Sequence, residues 1–212
     1  DALNLIVEAV ERAGYRLEHD IQIAVNVAAS KLYDENSELY YFQRESQIVG
    51  KEIYRNAEEM VQFYEDIVDR FPICSIEDGL AADDTKGWKL LTYRLGEQTQ
   101  LVGGDVFGSN VLRLQEGVKE SIANAISVKL CQIGTLTETM ELVETAKKSG
   151  YHIMISHGIG DTEDSVIADL SIAVNAGQIK AGAPCRGECT AKYNRLLKIE
   201  EMLGKNAAYH PK

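Results

Sequence analysis

The chain has 212 residues, 45% of them apolar, and a formal net charge of −11. That length supports one substantial core, and the acidic balance excludes a general nucleic-acid binder, whose phosphate contacts need a basic face. No apolar run approaches the roughly 20 residues of a membrane span, and Asp1 to Glu8 lack the basic-then-apolar order of a secretory leader.

Residues 2 to 14 carry helical spacing (Leu3, Ile6, Val7, Val10) that stops at Gly14. With no initiator methionine and a start inside a helical pattern, the chain reads as a piece of a longer protein. Ile21 to Val27 reads as a strand, and the tyrosine-rich stretch 31–54 as a hairpin or excursion rather than a helix. Asn56 to Arg70 is helical, with Met60, Phe63, Tyr64 and Ile67 on one face. A regular rhythm follows. Strands are expected at Ile73–Ile76, Gln100–Gly103, Ala125–Lys129, Tyr151–Ser156 and Gln178–Ala181. The helices between them start at Asp83 or Asp84, at Asn110, at Thr135 and at about Thr162, and the last spans Glu188–Leu203. The expectation is a single α/β domain over residues 1–212. Its six strand–helix units form a segment of a TIM-type (β/α) barrel, which closes on eight strands, so the first two strands are missing.

Glu77, Lys129, His157 and Lys180 each stand just past a short apolar run, at intervals of roughly 23 to 52 residues, about one or two βα units. In a barrel all strand ends share one face, so these side chains, with Asn26 and Gly104 at the other two strand ends, converge there. Glu77 suits a hard cation such as Mg²⁺, or is an acid opening a loop. A lysine whose ammonium is desolvated can serve as a base, which singles out Lys129 and Lys180. His157, followed by Gly158 and Gly160, is a binding candidate. The segments Gly160–Asp164 and Arg186–Glu188 are read as acidic first turns that complement a helix dipole. Four scattered cysteines suit a reducing compartment and a cytoplasmic protein. Cys185 and Cys189 lack a second Cys or His pair for zinc.

The stretches Ser75-Ile76-Glu77-Asp78, Lys129-Leu130-Cys131-Gln132-Ile133-Gly134-Thr135, Ser156-His157, Thr162-Glu163-Asp164, Gly177–Pro184 and Ala191–Glu201 together resemble the barrel domain of the enolase family (phosphopyruvate hydratase), in order and spacing. The resemblance runs from about residue 2 to 204. It implies a glycolytic lyase that takes 2-phosphoglycerate to phosphoenolpyruvate and water with Mg²⁺, in a homodimer or larger assembly. It also implies an N-terminal α+β domain upstream. Residue by residue, Lys129 matches the catalytic base, Lys180 the lysine at the substrate carboxylate, His157 the substrate-binding histidine and Glu77 one of three metal-ligating carboxylates.

The departures are equally specific. Asn26 and Gly104 stand where the family has metal-ligating Asp residues, and Gly158-Ile159 where it has the phosphate-binding Arg-Ser. One carboxylate ligand of three remains. Asp105 could replace the ligand at 104 only by swinging across, because a shift of one residue along a strand turns a side chain to the other face. The glycine at 104 also allows a backbone conformation closed to Asp. The expectation is therefore a catalytically impaired or inactive enolase-like protein, a pseudoenzyme with a structural or binding role. An active phosphopyruvate hydratase with an altered site is the alternative.

Overall fold

Strand signals and helix signals alternate along the chain, and the computed structural model, which describes residues 2–209, follows them as an α/β fold with the strand–helix order of a partial TIM-type barrel. The chain divides into two compact units. The first runs to Val106 and takes in Gly117–Asn124; the second holds Phe107–Glu116 and the chain from Ala125 onward.

In the first unit, α1 (Ala2–Arg12) is followed by Gly14, whose φ of 81° lets the chain turn without the penalty a Cβ would bring. The strands β1 (Ile23–Asn26), β5 (Ile73–Glu77) and β6 (Gln100–Gly103) lie side by side and parallel in chain order. Asn26 is the register partner of Glu77, and Glu77 that of Val102. Between β5 and its neighbours run α3 (Ala57–Arg70) and α4 (Thr85–Leu95). Asn56 and Glu59 close a reciprocal capping box on α3, and Asp84 caps α4 by accepting the Gly87 N–H. Met60, Tyr64, Ile76, Trp88, Leu91, Leu95 and Leu101 are buried and form the core of this unit.

Residues 33–55 form an antiparallel three-stranded sheet, β2 (Tyr33–Asp34), β3 (Leu39–Tyr41) and β4 (Tyr54–Arg55). It also holds a helix the sequence pattern does not announce, α2 (Gln43–Val49). The reason is physical. Ile48 and Val49 are exposed, so the helix has no apolar face to read; the Ser46 hydroxyl donates to the Phe42 carbonyl at its start, and Gly50 at φ 77° closes it by donating its N–H to the Ser46 carbonyl. The excursion is fastened to the loop after β5. The buried Tyr40 hydroxyl donates to Asp84 Oδ2 at 2.7 Å and accepts the Ala81 N–H at 3.0 Å, and Ser30 Oγ accepts the Ala82 N–H at 3.1 Å.

In the second unit, β7 (Ala125–Val128), β8 (His152–Ser156) and β9 (Ile179–Lys180) are again parallel neighbours in chain order. The division between units falls within α5 (Val111–Lys119), whose start is capped by Asn110 Oδ1 at 2.9 Å from Leu112 N and 3.1 Å from Arg113 N. A short helix, α6 (Leu130–Ile133), precedes α7 (Leu136–Lys148), which Thr135 caps as expected. The helix α8 (Val166–Ala173) starts later than the expected Thr162 because Asp161 to Glu163 are used as loop contacts. The last helix, α9 (Gly187–Leu203), follows β9. Ile126, Val128, Leu142, Ala146, Ile153, Ile155 and Ala168 form the core here. Among the described residues no helix is long and apolar enough to cross a membrane.

Candidate functional site

In the first unit the strand ends bring Asn26, Glu77 and Gly104 together. Asn26 and Glu77 face each other in register, and Glu77 is 3% exposed. A Cβ built on Gly104 would stand 3.1 Å from Glu77 Oε1 and 2.6 Å from Asp78 Oδ2. The backbone at 104 is not left-handed. The expectation of a glycine-only conformation is therefore replaced by a different obstacle: the space for a side chain is occupied by a carboxylate.

That carboxylate belongs to Asp78, which the sequence pattern places beside Glu77 without a role. It is buried and sits at φ 47°, a conformation uncommon outside glycine. Its Oδ1 accepts the N–H groups of Gly104 at 2.8 Å and Asp105 at 2.9 Å. Burial pushes its pKa up to about 6; the two N–H groups oppose this, while the charges of Asp105 and Glu77 add to it. Asp105 itself is exposed, and its backbone N–H is what hydrogen-bonds to Asp78.

This donor set does not fit a divalent magnesium ion. Such a site calls for near-octahedral oxygen ligation with anionic partners. Here the three strand ends offer one carboxylate, one neutral amide and no side chain, and Asp78 Oδ1 is already taken by backbone donors. Among the described residues no group of three or more His, Cys, Asp or Glu is arranged to hold a metal.

In the second unit the register aligns Val128 with Ile155 and Ile155 with Ile179, so Lys129, Ser156 and Lys180 reach the strand ends at one level. Lys129 and Lys180 are both half-buried. Lys129 follows β7 as the N-cap of α6, and its N–H donates to Ser109 Oγ at 3.1 Å. The Ser109 hydroxyl in turn donates to Gln132 Oε1 at 2.8 Å, so a serine from the loop after β6 sets where the lysine backbone leaves the strand. No periodic signal marks Ser109; only a loop with two glycines nearby hints at it.

His157 follows β8 and is held twice by one carbonyl: its N–H donates to Lys180 O at 2.9 Å and its Nδ1 lies 2.7 Å from the same oxygen. A carbonyl only accepts, so Nδ1 carries the proton, and Nε2 is the acceptor in the neutral ring. Gly158 next to it packs on Cys131, whose Sγ stands 2.8 Å from where a Cβ at 158 would be. Ile159 is fully exposed. A cavity of about 250 Å³ in this unit is walled by Ser109, Gln132, Ile133 and Glu138; Lys129, His157 and Lys180 are not among its lining. The four cysteines are free thiols.

A family model described as enolase, C-terminal TIM barrel domain, matches residues 1–212. The chain belongs to that family.

Proposed function

We propose that this enolase-family chain is a catalytically impaired or inactive relative, a pseudoenzyme that keeps the barrel architecture for a structural or binding role in a homodimer or larger assembly. The observation that carries the reading is the filled space at Gly104, where Asp78 and Glu77 crowd the position that family resemblance assigns to a ligating Asp. Asn26 opposite Glu77 removes a second anionic ligand. Gly158 and Ile159 offer a phosphate group no charged or hydroxyl side chain.

Magnitudes favour loss of turnover over mere slowing. Deleting a single preorganised electrostatic stabiliser typically costs about 10²–10³ in rate. Removing a desolvated charged partner costs about 2–5 kcal/mol. The reading counts two ligand changes and two phosphate-contact changes, and groups that work as a unit fail as a unit.

A second reading, an active phosphopyruvate hydratase with an altered site, is supported by the shared level of Lys129 and Lys180 and by the fixed ring of His157. In that reading Lys129 is the base, Lys180 and His157 contact 2-phosphoglycerate or phosphoenolpyruvate, and Glu77 is the remaining metal ligand. The free thiols support a cytoplasmic setting for either.

Calorimetric titration of the full-length protein with Mg²⁺ tests the proposal. The expected result is no stoichiometric binding at micromolar concentration. Tight binding there would sink the impaired reading in favour of the second.

A further inference from the structure

Lys192 of α9 is 1% exposed, an unusual place for an ammonium, and none of the roles above uses it. Its Nζ donates to the carbonyls of Glu188, at 2.7 Å, and Thr162, and lies 3.4 Å from Asp161 Oδ2. An ammonium has three protons, and three oxygens surround this one. Two of the three come from the loop that follows His157. A buried charge is tolerated only when its partners are in place, so the lysine and the loop hold each other.

The same loop is fastened at its other end by the two hydrogen bonds from His157 to Lys180 O. Beyond Asp161 and Thr162, the Glu163 carboxylate lies over the start of α9, where a Cβ at Gly187 would overlap it. Between the fastenings stand Gly158, Ile159 and Gly160, with the Ile159 side chain fully exposed. Two flexible glycines flank the one segment that these contacts leave untethered.

We propose that Lys192 is a positioning residue for the loop 157–164: its buried ammonium clamps Asp161 and Thr162 to α9 and thereby keeps the His157 ring in its Nδ1-protonated orientation on Lys180 O. The inference rests on the reading of His157 as a substrate contact only for its functional meaning. The clamp itself is independent of turnover.

The test uses the full-length protein with Lys192→Met and, separately, Asp161→Asn. The methionine keeps the stem and removes the charge; the asparagine keeps the oxygen that accepts the Thr162 N–H and removes the ion pair. Amide hydrogen exchange is read across 157–164, and the ¹⁵N shifts of the His157 ring report its tautomer. Loss of a charge-assisted clamp raises exchange in this segment about tenfold or more for Lys192→Met, and about two- to fivefold for Asp161→Asn. In Lys192→Met the ring shifts move away from a single Nδ1–H form. A lysine that served global stability alone would leave the tautomer unchanged well below the melting temperature. If Lys192→Met does not fold, Asp161→Asn decides. Folded variants with unchanged loop exchange and unchanged ring shifts overturn the proposal. Neither readout involves catalysis, so an inactive protein leaves the test intact.

Discussion

Gly104 is where one side chain decides most. An Asp introduced there meets two carboxylates, with Asp78 Oδ2 only 2.6 Å from the new Cβ. Gly104→Asp is expected to lower stability by about 1–3 kcal/mol through crowding and like-charge repulsion. Adding Asp78→Asn recovers part of the loss, because the amide keeps an oxygen for the two N–H donors and carries no charge. Denaturant titration of the two variants checks this, and a Gly104→Asp protein as stable as its parent contradicts the packing described. Gly158 poses the same problem in milder form, since the Cys131 thiol must move before any side chain fits. The sequence marks Glu77, Lys129, His157 and Lys180 because each ends or follows a short apolar run, and each ends or directly follows a strand in the structure. It does not mark Lys192 or Asp78. Lys192 lies in a helix of mixed polarity and is buried by a loop some 30 residues away, and Asp78 gains its role from backbone donors that no pattern encodes.

Packing of α8 against α9 shows what an exposed ion pair adds between two elements. Arg195 lies 2.5 Å through Nη2 and 2.9 Å through Nε from the two carboxylate oxygens of Asp169, and this bidentate contact holds the Asp169 pKa below the usual carboxylate range. A group with a depressed folded pKa contributes stability above its unfolded pKa, and loses it as pH falls through the folded value. Both side chains are about a third exposed or more, so solvent screening keeps the contribution small. Arg195→Met should therefore be slightly less stable than its parent at pH 7, and the gap to the parent should close as pH falls below about 4. Thermal melts at pH 7 and pH 3 read it; an equal gap at both values means the arginine acts by packing alone. The principal strands and most helix starts were legible because caps such as Asn56, Asp84, Asn110 and Thr135 carry their own chemistry. Three local features escaped, the short helix α6 among them. The helix α2 has no apolar face, and α8 begins late because Asp161 and Glu163 serve the loop instead of the helix dipole.

Across the whole molecule, the alternation of strand and helix was enough to assign the fold class, and residues 1–212 match the enolase C-terminal barrel family. What a family label alone does not convey is the chemistry of single positions. Under the proposed reading, Asn26 and Gly104 stand where family resemblance implies ligating Asp residues, and Gly158 and Ile159 where it implies phosphate contacts. Restoring Asn26→Asp, Gly104→Asp, Gly158→Arg and Ile159→Ser together is expected to recover some activity, whereas single reversions do little. The most direct measurement is the rise in ultraviolet absorbance as phosphoenolpyruvate forms from 2-phosphoglycerate, with the unmodified full-length protein at saturating Mg²⁺. The account predicts no measurable rise. Ordinary turnover would contradict it.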